Sequence, residues 1–200
     1  MSGRKIAFFD FDGTITTKDT LLEIIKFQKG WSAFCLGFLR HAPWLLGYKL
    51  NLLPNDQVKQ KILAYFFSGI PLEVFQDKCD LFAEEELPRL IRPAALSEIH
   101  RLRDLGFEAV VISASAENWI RKWTNSLSLT LIATRLEVKN GLITGRIDGQ
   151  NCHGEQKVVR IRENWDLGKY DEIYVYGDSS GDKPMLNLAT KSFYKPFRRS

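Results

Sequence analysis

The sequence has little cysteine, methionine or histidine: three, two and three residues among 200. The cysteines are odd in number and far apart, at Cys35, Cys79 and Cys152, so they predict neither a disulfide framework nor a zinc cluster. Because unpaired cysteines suit a reducing compartment, we expect a cytoplasmic protein. Charge of one sign is lacking too, since 24 acidic residues nearly balance 28 basic ones, and this argues against a nucleic-acid partner.

Long hydrophobic runs are also absent, and no stretch of about 18 uncharged apolar residues predicts a transmembrane segment. The closest is Trp31–Leu53, rich in Trp, Phe and Leu, which a proline and three basic residues interrupt. We interpret it as a buried helical hairpin that breaks near Pro43. One alternative is a surface that touches lipid, or a lipid-like substrate, through Trp31, Trp44 and the basic side chains, at the inner face of a membrane. Another is a contact between subunits, whose number the sequence leaves open.

Short apolar runs alternate with helical patterns along most of the chain, which predicts an α/β fold with a parallel sheet. The runs typical of buried strands are Ile6–Phe9, Ala109–Ser113, Leu129–Ala133 and Ile173–Tyr176. We also expect a last strand over 192–194 and a hairpin in which 136–138 and 142–145 flank an Asn-Gly turn. Helical patterns cover 93–105, 116–127, 154–164 and 184–188.

One long helical block, from about Asp19 to Leu90, interrupts this alternation directly after the first predicted strand. We interpret the block as an inserted all-helical cap. The expected organisation is a Rossmann-like core of residues 1–14 and 90–200 and a cap of residues 15–89. In open sheets of this kind ligands bind beyond the carboxyl ends of the strands, so functional residues are expected there.

Two pairs of carboxylates follow predicted strands. Asp10 and Asp12 end the first strand, where side chains two residues apart on extended chain share a face. Asp178 and Asp182 follow the strand that ends at Tyr176. Carboxylates this close repel one another unless a cation or a shared proton separates them, and a hard ion such as Mg²⁺ suits their oxygens. Four carboxylates from two strand ends therefore predict a Mg²⁺ site.

A serine and a lysine could complete a site for a phosphoryl group. Ser113 ends the second predicted strand and could donate its hydroxyl hydrogen to a phosphate oxygen, and Lys157 could offer an ammonium to the same anion. An aspartate can attack phosphorus and form an acyl phosphate, while a second carboxylate protonates the leaving oxygen and then activates water. Each residue alone has an ordinary structural explanation, as a helix cap, a turn or a solvated helix face. The ordered set favours phosphoryl transfer.

Four segments together resemble the haloacid dehalogenase-like hydrolase superfamily. In chain order they are Phe8–Thr14, Val110–Ser113, Gly154–Lys157 and Gly177–Asp182. A helical cap between the first and second motifs resembles the phosphoserine phosphatase-like subfamily IB. The resemblance implies a Mg²⁺-dependent phosphatase that hydrolyses a small phosphate monoester through an aspartyl-phosphate intermediate.

The resemblance also implies roles for single residues. Asp10 would be the nucleophile and Asp12 the general acid and base. The metal ligands would be the carboxylates of Asp10 and Asp178 and the backbone carbonyl of Asp12, with Asp182 supporting the site. The phosphoryl group would be held by Ser113 and Lys157.

The substrate is left open by the same comparison. Asp19 stands where phosphoserine phosphatases carry an acidic residue that binds the substrate amine, but it could equally cap the helix that follows. Those enzymes use a cap arginine, whereas 58–61 offers lysines, and Ala114-Ser115 replaces their usual glycine pair. The Trp-bearing cap resembles those of bacterial phosphatidylglycerophosphate phosphatases, so a lipid phosphate is an alternative substrate. Further alternatives are a phosphotransferase that uses the same aspartate and an idle binding scaffold.

Overall fold

The fold is described from a computed structural model, which covers residues 3–50 and 52–198. Within these residues six strands form one sheet in the order β4-β3-β2-β1-β5-β6. Neighbouring strands pair in parallel, except that β4 runs antiparallel to β3. The strands are β1 Lys5–Phe9, β2 Phe107–Ala116, β3 Thr130–Lys139, β4 Leu142–Asp148, β5 Glu172–Gly177 and β6 Lys191–Tyr194.

Helices cover both faces of this sheet, and six of those described lie between β1 and β2. The first five of them make up the inserted helical block. These five are α1 Thr20–Arg40, α2 Ala42–Lys49, α3 Asn55–Phe67, α4 Leu72–Glu85 and α5 Leu87–Leu90. The others are α6 Pro93–Asp104, α7 Arg121–Ser126, α8 Glu155–Asn164 and α9 Lys183–Leu186. The α/β fold with a mainly parallel sheet and an inserted helical cap is thus confirmed. The division at residues 14/15 and 89/90 stays a prediction.

The buried strands explain why continuous apolar runs predicted them. Successive side chains of a strand point to opposite faces, so a strand covered on both faces must be apolar throughout. Ala7 and Phe9 pack in the cluster that continues into the helices between β1 and β2, whereas Ile6 and Phe8 pack in a second cluster with Ile161 of α8.

Two predicted elements were wrong in extent. The strand at 129–133 and the first hairpin strand are one element, β3, which pairs with β2 along its first half and with β4 along its second. The helix predicted over 116–127 is shorter, because Ala116 still pairs with Thr134 in the sheet and a 3₁₀ turn follows over Glu117–Trp119. The helical pattern of side chains could not show that the backbone of Ala116 is hydrogen-bonded in the sheet.

The segment Trp31–Leu53 contains two helices that meet near Pro43, as predicted, but it is not buried. Helix α1 is interrupted at Gly30, which has φ 80° and ψ 165°, and it gives way to α2 at His41, with Pro43 in the first turn of α2. A proline is accepted there because that N–H lacks a helical partner anyway. Many apolar side chains of this segment are exposed, for example 73% of Leu39. Within 3–50 and 52–198, no helix is both long and apolar enough to cross a bilayer.

The β3–β4 hairpin fastens part of the helical cap to the sheet. Ile143 exchanges two backbone hydrogen bonds with the α3–α4 connection. Its N–H donates to the Ile70 carbonyl (2.9 Å), and its carbonyl accepts from the Gly69 N–H (2.8 Å). Gly145, at φ 78°, packs so closely on α3 that a Cβ there would lie 2.2 Å from the Ala64 Cα. Only glycine allows this approach. The hairpin therefore fixes α3 and α4 against the core.

Candidate active site

The carboxyl ends of β1, β2 and β5 bring the predicted site residues together. Asp10 follows β1 and donates its backbone N–H to the Tyr176 carbonyl of β5 at 2.9 Å. The chain then turns at Gly13, with φ 79°, where a Cβ would lie 2.4 Å from Asp178 Oδ2. Glycine is thus required both for the turn and for the approach of Asp178. This is the edge at which the parallel sheet was expected to bind its ligand.

A buried lysine joins two of the aspartates. Lys157, only 1% exposed, donates to Asp10 Oδ1 at 2.5 Å and to Asp182 Oδ1 at 2.6 Å. Thr14 donates its hydroxyl hydrogen to Asp10 Oδ2 at 3.0 Å. Burial raises the pKa of Asp10 to about 7, although Lys157 opposes the shift. Burial alone would lower the pKa of Lys157, but the carboxylates of Asp10 and Asp182 outweigh it and raise that pKa, so the ammonium stays charged.

Three carboxylates form a cluster that fits a divalent metal ion. Oxygens of Asp10, Asp178 and Asp182 all lie within 4.8 Å of one another. Asp182 Oδ2 is oriented by the backbone N–H of Asp178 (3.1 Å) and by the N–H and hydroxyl of Ser179 (3.0 and 2.8 Å). Oxygen-only donors of this kind suit Mg²⁺ better than Zn²⁺ or copper. The donor set therefore agrees with the Mg²⁺ that the sequence predicted.

The Asp12 carboxylate lies apart from that cluster and is held by the start of α1. Its Oδ1 accepts from the backbone N–H and the hydroxyl of Thr20, at 2.6 and 2.7 Å, and its Oδ2 accepts from the Ser113 hydroxyl at 3.4 Å. Trp119 donates its indole N–H to the same Thr20 hydroxyl at 3.0 Å. Because that indole can only donate, it leaves the Thr20 hydrogen free to point at Asp12.

We expect Trp119→Phe to lower kcat about 3- to 10-fold while KM changes less than twofold, a loss of about 1 kcal/mol in transition-state stabilisation. Phenylalanine keeps most of the packing but removes the N–H that orients Thr20. Steady-state kinetics with a soluble phosphate ester would measure this. Trp123→Phe, on the neighbouring α7, is the matched control and should keep kcat. An equal loss in both variants would show that packing alone matters.

Asp19 caps helix α1, which the sequence offered as the alternative to binding a substrate amine. Its Oδ1 caps α1 by accepting from the backbone N–H groups of Leu21 (2.9 Å) and Leu22 (3.3 Å). The residue also lines the cavity above Asp10. A contact between Asp19 and a substrate amine stays a prediction.

The cavity above Asp10 has a polar floor and an apolar wall. Its volume is about 310 Å³. The floor carries the aspartates, Lys157, Ser115 and His153. The wall is formed by side chains of α1, α2 and α3, namely Leu21, Leu22, Phe38, Leu45, Tyr48, Val58 and Ile62. A ligand with a phosphate at one end and apolar groups at the other would match both parts.

Two basic residues at this site were not singled out from the sequence. Lys59 of α3 reaches across the cleft and donates to the backbone carbonyl of Ala114 and to Asn151 Oδ1, the latter at 3.0 Å. Burial lowers the pKa of Lys59 to about 8. Arg198 donates to Asp178 Oδ2 at 2.6 Å. Lys59 was noted only as one of the lysines at 58–61, and Arg198 was not predicted as a site residue. Both contacts depend on how distant segments pack, so the sequence carries no signal for either contact.

Both the sequence and the fold match known proteins. The sequence matches the haloacid dehalogenase-like hydrolase family over residues 7–187. It is 34% identical over 195 residues to the protein CicA of Caulobacter vibrioides, a match that covers 95% of this chain and 85% of that one. It is 29% identical over 198 residues to a probable phosphatase of Mycobacterium tuberculosis, across 92% and 66% of the two chains. A substrate-bound phosphoserine phosphatase shares the fold, with a TM-score of 0.67 at 21% identity over 97% of this chain and 87% of that one.

Proposed function

Because the chain belongs to the haloacid dehalogenase-like hydrolase family and is a phosphatase, we propose that it hydrolyses a small phosphate monoester with Asp10 as the nucleophile. The observation that carries the proposal is the buried Asp10, which lies 2.5 Å from the Lys157 ammonium and within the cluster formed with Asp178 and Asp182. A cation beside a carboxylate, at the end of a cavity, is suited to receive a dianionic phosphoryl group.

We assign a residue to each step of this reaction. A carboxylate oxygen of Asp10 attacks phosphorus, and the bond from phosphorus to the ester oxygen breaks. Asp12 gives a proton to that leaving oxygen, which departs as an alcohol. Asp12 then accepts a proton from water as the water attacks phosphorus, and the bond to Asp10 breaks to release inorganic phosphate. Ser113 and Lys157 hold the phosphoryl oxygens.

The aspartate cluster supports a metal requirement. Mg²⁺ held by Asp10, Asp178 and Asp182, with the Asp12 carbonyl, would offset charge on the phosphoryl group. Asp178→Asn should reduce the rise in melting temperature that Mg²⁺ gives to the natural protein, because it removes one charged donor. Scanning calorimetry measures this without any substrate, and Asp148→Asn, at an exposed position on β4, is the matched control.

The activity itself is tested by phosphate release from a panel of esters. We expect release from at least one of phosphoserine, histidinol phosphate, phosphocholine, sugar phosphates and a phosphatidylglycerophosphate in detergent. Release should need Mg²⁺ and stop on chelation. Transfer of the phosphoryl group to added alcohols at the expense of inorganic phosphate would instead indicate a phosphotransferase. No release and no Mg²⁺ binding would indicate an idle scaffold.

A lipid phosphate is the second candidate substrate, and the apolar wall of the cavity favours it. Phe38, Leu45 and Tyr48 would contact the apolar part of such a substrate while its phosphate lies at Asp10. A polar substrate such as phosphoserine would leave this wall against water or polar groups. A preference for long-chain over short-chain esters, with kcat/KM rising with chain length, would support the lipid candidate.

Lys59 predicts a pH dependence of substrate binding. Since its pKa is lowered to about 8, the ammonium is charged below that pH and neutral above it. For a substrate with an anionic leaving group, KM should therefore rise as pH increases through about 8. Lys59→Arg, which stays charged, should remove this rise, and Lys61→Arg, at an exposed position on the same helix, should not. An unchanged profile in Lys59→Arg would contradict the assignment.

A further inference from the structure

Helices α1 and α2 expose an unusual amount of apolar surface. After Gly30, the residues of α1 at Trp31, Leu36 and Leu39 are 66%, 63% and 73% exposed. At 3.6 residues per turn these three lie within one arc of about 140° on the helix. At one border of this arc the Trp31 ring stacks on the partly buried Phe34 at 5.5 Å. On α2, which buries none of its residues, Leu46 is 57% exposed. Helices this apolar are normally buried, so this surface is fit to be covered by something else.

The apolar face is defined here as the exposed side chains of Trp31, Leu36, Leu39, Trp44, Leu46 and Leu50. The sequence segment that carries this face has charge of one sign. After Glu23 the next acidic residue is Asp56, although the chain contains 24 acidic residues. The segment between them carries four basic side chains, at Lys26, Lys29, Arg40 and Lys49. Arg40 and Lys49 are exposed beside the apolar face.

This combination matches an anionic lipid surface better than a second copy of the chain. Tryptophan and leucine side chains flanked by lysine and arginine are the composition of segments that lie in the headgroup region of a bilayer. In a symmetric dimer the face would meet itself, and Arg40 and Lys49 of both copies would approach one another without an acidic partner. Anionic headgroups supply the missing negative charge.

We propose that the apolar face docks on the headgroup region of an anionic lipid bilayer. The same two helices line the cavity from their inner side through Phe38, Leu45 and Tyr48, so docking brings the cavity above Asp10 next to the bilayer. The docking itself does not depend on the phosphatase reaction.

Vesicle flotation tests the proposal without reference to activity. The natural protein should float with vesicles of phosphatidylcholine and phosphatidylglycerol in equal parts, and should stay behind with vesicles of phosphatidylcholine alone. Binding should weaken as sodium chloride is added, because screening reduces the attraction between basic side chains and anionic headgroups. Binding to neither vesicle, or equally to both, would overturn the proposal.

Two variants locate the contact. Leu36→Gln/Leu39→Gln/Leu46→Gln and Arg40→Gln/Lys49→Gln should each lower the vesicle partition coefficient about tenfold or more. The matched control is Val74→Gln/Leu81→Gln/Leu105→Gln, which removes apolar side chains that are 47%, 43% and 53% exposed elsewhere. It should bind as the natural protein does. Equal loss in the control would overturn the proposal, and so would a dimer, seen by light scattering, that only the first variant dissociates.

Activity on a soluble ester keeps the two proposals separate. All three variants should hydrolyse p-nitrophenyl phosphate as the natural protein does, because none of the changed residues lines the cavity. Vesicle binding by an inactive protein would leave the docking intact and contradict the proposed function. Full activity without vesicle binding would support the proposed function and contradict the docking.

Discussion

The Asp10→Asn variant is expected to release no measurable phosphate, with kcat at least about 10⁴-fold below that of the natural protein. An amide cannot form the acyl phosphate. Asp182 also lies in the metal cluster and contacts Lys157, but its other oxygen already accepts from Asp178 and Ser179. The measurement is phosphate release under single-turnover conditions, which would also detect one slow cycle. An acid quench during the reaction should trap the aspartyl phosphate in the natural protein and not in the variant.

Loss of activity in Asp10→Asn is informative only if the fold is kept. Asparagine has nearly the same shape: its carbonyl oxygen can accept from Lys157 in place of Oδ1, and its amide can donate to the Thr14 hydroxyl in place of Oδ2. Circular dichroism spectra should therefore superpose, and Asp148→Asn should retain full turnover. Undiminished release by Asp10→Asn would refute the assignment of the nucleophile.

The Lys157→Met variant is expected to lose about 3–5 kcal/mol of unfolding free energy. Methionine fills a similar volume, but it leaves the carboxylates of Asp10 and Asp182 buried beside one another without their shared cation. An uncompensated buried charge is among the most destabilising changes known for a single residue. Urea unfolding followed by circular dichroism measures the loss.

An exposed ion pair provides the contrast. Lys169 contacts Asp166 at 3.3 Å with both side chains about two-thirds exposed, so Lys169→Met should cost less than about 1 kcal/mol. The loss in Lys157→Met should also shrink as pH falls. Burial already raises the pKa of Asp10, so protonation at lower pH removes the unpaired charge in the folded state and stabilises the variant. A loss that is small or independent of pH would mean that the ion pairs contribute little.

The sequence was sufficient for the parts of the site that are set by strand ends. Asp10, Ser113 and Asp178 each follow or end an apolar run, and parallel strands place such residues at one edge whatever the intervening chain does. Spacing alone predicted a cluster of carboxylates there. Only Asp12 departs from that picture, because the start of α1 draws its carboxylate away toward Thr20.

The rest depends on contacts between segments far apart in the chain. Trp119 reaches Thr20 across 99 positions, and Lys59 reaches Ala114 across 55. Neither contact has a periodic or compositional signature. The exposed face of α1 and α2 was also misjudged, because hydropathy reports that a residue prefers to leave water and does not report which neighbour is available to cover it.

The interruption of α1 at Gly30 has a consequence for how a ligand enters and leaves. The first half of α1 is anchored through Thr20 to Asp12, and α3 and α4 are fastened to the β3–β4 hairpin. Among described residues, by contrast, the backbone hydrogen bonds of the stretch from Trp31 to Lys49 stay local and reach no further along the chain than Leu53. Its inner side is instead held by ring contacts, such as that of Phe38 with Phe66 at 6.1 Å. Lifting these two helices at Gly30 would therefore widen the cavity without breaking a described backbone hydrogen bond between the cap and the sheet, so the whole cap need not swing away as a rigid lid.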